Sequence, residues 1–135
     1  MPIMNWDQTL DVGVESMNSE HREILDAMNR IYDADQTGQH GDVINSLVGR
    51  LGSVCVRHFA DEEKFMAKIG FPTLENHKLV HAKLLRDFSA HAAAIKAADG
   101  TVTEGFFTFL KFWLSAHIKG IDIKYGAHAK AVAAR

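Results

Sequence analysis

Apolar residues recur at spacings of three and four in four stretches of this chain, which is the pattern of helices with one buried face. In the first stretch, residues 18–35, these positions are Ile24, Leu25, Met28, Ile31 and Tyr32. Ser16 or Asn18 could cap this helix. The turn-forming segment QTGQHGD, residues 36–42, ends it. The same period then resumes and predicts a longer second helix through Ile69.

Two further breaks separate the second, third and fourth helices. Gly70-Phe71-Pro72 ends the second helix because proline lacks a backbone donor and restricts the residue before it. The third helix restarts near residues 73–74 and ends at the Asp99-Gly100 turn. The fourth carries apolar positions from Phe106 to Leu114 and loosens at Gly120.

Four amphipathic helices with short connections favour an all-α fold, an up-down-up-down antiparallel four-helix bundle. We predict a single domain over residues 1–135, with an N-terminal arm at 1–17, the bundle at about 18–121 and a short helical tail at 122–135. Trp6 is the expected anchor of the arm.

Composition excludes several classes of partner. The net charge of −2, from 15 basic and 17 acidic residues, gives no electrostatic case for nucleic acid or an anionic membrane. The N-terminus does not resemble a secretion signal, and the longest apolar stretch, GFFTFLKFWL, is too short to span a bilayer. Cys55 is the only cysteine, so no internal disulfide can form. We therefore expect a cytoplasmic protein.

Histidines are the conspicuous residue type, with eight in the chain. His58 and Glu62, like His77 and His81, are four residues apart and project from one side of their helices. His21 and His117 fall on the buried faces of the first and fourth helices by their spacing from apolar neighbours. All four predicted helices therefore direct a histidine inward.

The heights of these residues can be compared because residues at one level of antiparallel helices are equally far from the turn between them. The midpoint of His21 and His58 lies in QTGQHGD, that of Glu62 and His77 lies at Gly70, and that of His81 and His117 is residue 99. All three midpoints fall on predicted turns. Five histidines and Glu62 should therefore converge at one level of the bundle.

Such a cluster in an apolar interior predicts metal binding, because a buried carboxylate needs compensating charge. Imidazole and carboxylate donors suit iron, zinc, copper or manganese, and five histidines exceed the needs of one four-coordinate site. Two ions bridged by a carboxylate are the economical interpretation. Asp122 is the candidate for a second carboxylate, but five residues after His117 it would point about 140° away on an ideal helix. The helix must loosen, tighten or end there, and a π-bulge is another possibility.

The chain resembles the hemerythrin family, and its length and arm are similar to those of a single-domain bacteriohemerythrin. The family signature is a first-helix histidine followed by HxxxE, HxxxH and HxxxxD, and its matches here are His21, His58-Phe-Ala-Asp-Glu62, His77-Lys-Leu-Val-His81 and His117-Ile-Lys-Gly-Ile-Asp122. Trp6, Gly13, Met66, the Gly-Phe-Pro turn and the WLxxHI segment extend the match. Asn18 departs from it, since the family commonly has aspartate there.

The resemblance implies a non-haem centre of two iron ions (Fe2+/Fe3+) with a bridging oxo or hydroxo group. It assigns His77, His81 and His117 to one iron, and His21 and His58 to a second iron with an open position. Glu62 and Asp122 would bridge the two ions. Ile24, Phe59, Trp113 and Leu114 match the positions of the family's oxygen pocket.

The resemblance further implies reversible dioxygen binding for storage, transport or delivery, as a binding protein and not an enzyme. An unidentified oxygen-recipient protein would then be a partner. The alternatives are a sensor of dioxygen or nitric oxide that acts through a partner, and a di-iron peroxidase-like enzyme.

Several neighbouring residues have simpler interpretations. Asp61 and Glu63 point away from the inward line of Glu62 and are predicted to be solvated. His40, His91 and His128 are predicted surface or boundary histidines. Cys55 is interpreted as a small buried hydrophobe.

Overall fold

The computed structural model describes residues 4–133, which are helical apart from short connections. Its α-helices are α1 (Glu15–Gln36), α2 (Asp42–Lys68), α3 (Leu74–Ala97), α4 (Glu104–His117) and α5 (Ile123–Ala133). A 3-10 turn at Gln8–Leu10 precedes α1, and a π-helical turn at Ile118–Asp122 joins α4 to α5. The first three residues of the predicted arm and the last two of the predicted tail lie outside the described residues.

Helices α1 to α4 form the predicted antiparallel bundle, in which α1 packs against α2 and α4, and α2 packs against α3. The prediction of an all-α bundle with a helical C-terminal tail is confirmed. In the described part of the chain, no helix is long and apolar enough to cross a membrane.

The connections between the four bundle helices lie at the turns that the sequence predicted. At one end of the bundle the Gly41 N–H donates to the Asp99 carbonyl at 2.8 Å, so the α1–α2 and α3–α4 connections touch. Gly100 has a φ of 75°, and a Cβ there would lie 2.3 Å from the backbone nitrogen of Gly41. Only glycine fits this contact. At the other end, Gly70 (φ 65°) closes α2.

The predicted cap of α1 is wrong for both candidates. The helix begins at Glu15, its N-cap is Val14, and no side chain makes the capping hydrogen bond. Asn18 is instead buried, where its Oδ1 accepts from the Val12 N–H at 3.0 Å and its Nδ2 donates to Asp11 Oδ1 at 2.8 Å. Asn18 therefore fixes the arm to the start of α1.

The arm is held mainly by residues other than the predicted Trp6. Leu10 is fully buried and Val12 is 3% exposed, whereas Trp6 is half-buried beneath the Arg22 guanidinium, 4.5 Å from its ring centroid. The Val12 carbonyl approaches Gly126 of α5 so closely that a Cβ on Gly126 would lie 1.6 Å from the oxygen. The arm thus packs against α5, close to the residues that follow Asp122.

Candidate metal centre

Seven polar side chains meet at one level inside the bundle, and all are at most 5% exposed. They are the predicted set: His21, His58, Glu62, His77, His81, His117 and Asp122. The convergence follows from turn positions and helical period, since each helix contributes at least one of them. A buried cluster of this composition is costly unless its charges are matched.

Asp122 reaches this level because the helix changes its pitch after His117. Residues Ile118–Asp122 form a π-helical turn, whose wider i→i+5 winding brings residues five apart towards one side. Of the possibilities left open by the sequence, the structure thus shows the π-bulge. Gly120 within the turn is exposed and its Cβ position is open.

One oxygen of each carboxylate faces the three histidines of α3 and α4. Glu62 Oε1 lies 3.1 Å from His81 Nε2, and Asp122 Oδ1 lies 2.9 Å from His77 Nε2 and 3.0 Å from His117 Nε2. The ligand atoms of these five residues all lie within 4.8 Å of one another. We call this set the three-histidine group.

The other carboxylate oxygens face the histidines of α1 and α2. Glu62 Oε2 lies 3.2 Å from His58 Nε2 and 3.3 Å from His21 Nε2, while Asp122 Oδ2 lies 3.2 Å from His21 Nε2. A second set of ligand atoms also lies within 4.8 Å of one another, and it belongs to His21, His58, Glu62 and Asp122. We call this set the two-histidine group. Both carboxylates therefore have one oxygen in each group.

The donor atoms fit metal ions better than they fit one another. Glu62 Oε1, His81 Nε2, His117 Nε2 and Asp122 Oδ2 are buried without a hydrogen bond, although nitrogen and oxygen atoms lie 3.0–3.2 Å apart. Two donors bound at right angles about 2.1 Å from one metal would be about 3 Å apart. The separations therefore match neighbouring ligands of a shared ion, and nitrogen and carboxylate donors suit iron, zinc, copper or manganese.

Without a metal, protons take the place of the missing positive charge. Burial alone would lower the pKa of His58, but attraction to Glu62 and the hydrogen bond to Glu20 outweigh it and raise that pKa to about 10. The pKa of His21 is also raised, since its contacts with Asp122 and Glu62 outweigh burial. Burial and Glu62 would raise the pKa of Asp122, but the attraction of His117 prevails and lowers it to about 2.

Three residues outside the predicted set contact the predicted ligands. Glu20 Oε1 accepts from His58 Nδ1 at 2.7 Å, and Glu63 Oε2 accepts from His81 Nδ1 at 3.0 Å. The Tyr125 hydroxyl donates to Glu62 Oε2 at 2.6 Å. Carboxylates that bind the outer nitrogen of a ligand histidine orient its ring and raise its basicity.

The prediction that Glu63 is merely solvated is therefore wrong. Its rotation away from Glu62 carries it around α2 to meet His81 of α3, and its side chain is 28% exposed. Glu20 precedes His21 on α1, but no spacing rule relates it to His58 on another helix. Tyr125 lies three residues after Asp122, so on a continuous helix the two side chains point to the same side. The sequence would have predicted that Tyr125 faces the cluster if the helix had been known to continue past Asp122.

The four predicted oxygen-pocket residues are all buried, each at most 6% exposed. Phe59 stacks on His81 with ring centroids 4.0 Å apart, and it contacts Trp113 edge-on at 5.8 Å. Phe59 and Trp113 also line a small apolar cavity of about 10 Å³ together with Cys55. Ile24 and Leu114 lie outside the lining of this cavity.

The remaining predicted boundary residues lie outside both ligand groups. His40 is exposed in the α1–α2 turn, and His91 is half-buried and stacks on Phe109 at 4.8 Å. His128 of α5 is half-buried with Nε2 3.1 Å from the Ile69 carbonyl oxygen. Cys55 is buried as expected, and it is not among the metal-ligating sets found in the described residues.

The fold and the site together define an antiparallel helical bundle whose interior holds two adjoining groups of donors that could each bind a metal ion and that share two carboxylates. The chain belongs to the hemerythrin family: the family model described as "Hemerythrin HHE cation binding domain" matches residues 12–129.

The sequence of this chain is similar to those of several curated relatives over most of its length. The chain is 27% identical to a bacteriohemerythrin of Stenotrophomonas maltophilia, covering 97% of this chain and 84% of that protein. It is 32% identical to a myohemerythrin of Riftia pachyptila (89% and 88% covered) and 33% identical to a hemerythrin-like protein of Naegleria fowleri (90% and 89% covered). A crystal structure of a hemerythrin mutant superposes with a TM-score of 0.85 at 27% identity, covering 95% of this chain and 98% of that one.

Proposed function

We propose that this protein binds dioxygen reversibly at a centre of two iron ions, for storage or delivery. The observation that carries the proposal is the unequal number of histidines in two groups that share the same two carboxylates. The three-histidine group offers five protein donors and the two-histidine group offers four. The two-histidine group would therefore hold its ion with one protein donor fewer, which would leave room at that ion for a small ligand.

The donor set favours binding over oxidation of a substrate. Five neutral histidines with two carboxylates supply less negative charge than the carboxylate-rich sites of ferritin-like proteins, and so stabilise high oxidation states less. A ferrous pair would supply the two electrons that dioxygen takes up on binding. Burial of every donor at 5% exposure or less also limits the entry of protons and water.

The chain's own residues would hold the centre in three ways. His77, His81 and His117 would bind one iron, and His21 and His58 the other. Glu62 and Asp122 would hold the two ions together, each with one oxygen in either group. Tyr125 fixes Glu62 by donating to its Oε2, and burial together with the nearby Glu62 charge raises the pKa of Tyr125, so the hydroxyl stays protonated.

Reversibility is the decisive measurement. The protein should be loaded with ferrous iron without air and exposed to dioxygen while its visible charge-transfer absorption is followed. We expect a band that disappears on purging with inert gas and returns when dioxygen is readmitted. Protein loaded with zinc is the control, because zinc has no redox chemistry and should give no band.

Rapid, irreversible oxidation of the iron on the first exposure would contradict the proposal. It would favour the alternative classes instead, a sensor or a peroxidase-like enzyme. A sensor would further require that ligand binding change the affinity for a partner protein.

A further inference from the structure

We propose that the surface groove between α3 and α4 is a docking site for an acidic amphipathic helix of a partner protein. The groove has two connected parts, of about 430 Å³ and about 320 Å³, which share Asp87 and Phe109. It runs along α3 from Val80 to Ala94, a distance of about 20 Å at the usual helical rise. Binding there needs no metal, so this site goes beyond the proposed function.

The walls of the groove are mainly apolar, and the described part of the chain leaves them open. Val80 and Leu84 of α3 and Phe109 of α4 line the groove and are only half-buried. Phe112 also lines it and is 72% exposed, whereas the next residue, Trp113, is buried. A contiguous apolar surface of this kind on a folded domain typically marks a site of interaction.

Helix α3 is the least covered of the three long helices. Nine residues of α1 and nine of α2 are buried, but only four of the 24 residues of α3 are. Two of those four are the predicted metal ligands His77 and His81. A helix added to the groove would therefore cover apolar surface of α3 that α4 leaves open.

The shape of the groove fits a helix. Amphipathic helices bind channels between helices through apolar residues at positions i, i+3 or i+4, and i+7. A channel about 20 Å long accommodates about 14 residues of helix, or nearly four turns. A bilayer surface is flat at this scale, so it would reach the exposed Phe112 but not the half-buried Leu84.

The charge on this side of the molecule favours an acidic partner. Helices α3, α4 and α5 carry seven lysines and arginines against three acidic residues, whereas α1 and α2 carry six against ten. Lys83 lines the groove, and its side chain is 67% exposed in an ion pair with Asp87 at 2.7 Å. An exposed pair contributes little, so Lys83 can exchange Asp87 for a carboxylate of the partner. The acidic α1–α2 side would repel the same partner and so orient its approach.

A second copy of the chain does not supply such a helix from its described residues. Helix α1 is acidic, but none of its large apolar residues is exposed. Helix α2 exposes Val43 and Val56, which are thirteen positions apart and form no continuous ridge. The occupant is therefore expected on another protein.

A displayed library of helical peptides tests what the groove accepts. The full chain is loaded with zinc, which has no redox chemistry, and peptides of about 14 residues with random side chains are selected for binding. We expect the enriched peptides to be acidic and to repeat apolar residues at helical spacing. Enrichment of basic or neutral peptides, or no enrichment at all, would overturn the docking site.

Two substitutions at exposed positions locate the bound peptide. The tightest peptide should bind Phe112→Ala about tenfold more weakly, because an aromatic anchor is lost. Lys83→Glu should weaken binding by about fivefold at low salt and by less at high salt, because an attractive charge becomes repulsive. Val43→Ala is the matched control, since Val43 is an exposed apolar residue on α2. Equal affinities of Phe112→Ala and Val43→Ala would place the peptide elsewhere, and an unchanged affinity of Lys83→Glu would show that charge does not select the partner.

Two other occupants would give different results. If Phe112 inserts into a membrane, vesicles of phosphatidylcholine and phosphatidylserine should bind wild-type protein and not Phe112→Ala. If a second copy fills the groove, sedimentation velocity should show a dimer that Phe112→Ala abolishes. Either result would overturn a partner helix as the occupant. None of these measurements involves dioxygen, so they stand apart from the test of the proposed function.

Discussion

The three-histidine and two-histidine groups use the same two carboxylates but are assembled differently. His77 and His81 are one turn apart on α3, so a single helix places two of the three histidines. His21 and His58 lie on separate helices and meet only because α1 packs against α2. One group is therefore largely fixed by local structure, while the other depends on tertiary packing and offers one donor fewer.

The largest expected effect comes from removing a residue that both groups share. Glu62 supplies Oε1 to the three-histidine group and Oε2 to the two-histidine group, so Glu62→Ala should sharply lower the iron bound at both. Breaking a buried charged cluster in this way typically costs about 3–5 kcal/mol. Iron content per folded chain, measured by metal analysis, checks the result. Asp61→Ala is the matched control, since Asp61 precedes Glu62 and belongs to neither group.

Equal iron contents in the Glu62 and Asp61 variants would contradict this assignment of Glu62. Loss of one ion alone, with the other retained at full affinity, would show that the two groups do not depend on a common carboxylate.

A pair of glutamate substitutions should separate the two groups. Glu20 accepts a hydrogen bond from His58, so Glu20→Gln should weaken the binding of the ion in the two-histidine group. Glu63 accepts one from His81, so Glu63→Gln should weaken the binding of the ion in the three-histidine group. Losing such an outer contact typically lowers metal affinity by about 10–100-fold. Competition with a chelator, followed through successive metal-release steps, would identify which ion is affected.

Glu23→Gln is the control for both variants, because Glu23 pairs with Arg57 on the surface of the same α1–α2 interface. If all three variants released metal alike, the outer glutamates would have only a general electrostatic effect.

These contacts also mark the limit of what the sequence could predict. The spacing along each helix and the positions of the turns were enough to predict the bundle and the convergence of five histidines with Glu62. Both predictions depend only on the helical period and on where the turns fall. Asp122 needed a π-turn, which no local propensity specified. Glu20 and Glu63 needed the rotation of neighbouring helices about their axes, and Asn18 needed the path of the arm. Contacts between side chains of different helices were therefore the part that periodicity could not supply.

The pH dependence of stability should differ between metal-free and metal-loaded protein. In the metal-free protein the pKa of His58 is raised from 6.5 to about 10. The stability that this proton contributes is fully present below pH 6.5 and is lost as the pH rises through about 10. With zinc bound, His58 is neutral throughout and this loss should disappear. Urea unfolding between pH 7 and pH 11 would measure it.

The two-histidine group is the source of this expected difference, because His21 and His58 both have raised pKa values. If the free energies of unfolding of metal-free and zinc-loaded protein fell in parallel above neutral pH, these protons would not stabilise the cluster.

The smallest expected effect is that of Tyr125→Phe, which removes one hydrogen bond to Glu62 Oε2 and leaves every ligand in place. Because a bound metal already satisfies most of the carboxylate charge, we expect the loaded protein to lose about 1 kcal/mol of unfolding free energy and to keep its full metal content. Tyr32→Phe is the control, since Tyr32 is half-buried and packs edge-on against Phe107, with ring centroids 5.1 Å apart. Oε2 belongs to the two-histidine group, so chelator competition should show the Tyr125 variant releasing that ion slightly earlier and the other ion unchanged. If instead the three-histidine ion were released first, Tyr125 would act on Glu62 as a whole and not on the oxygen it contacts.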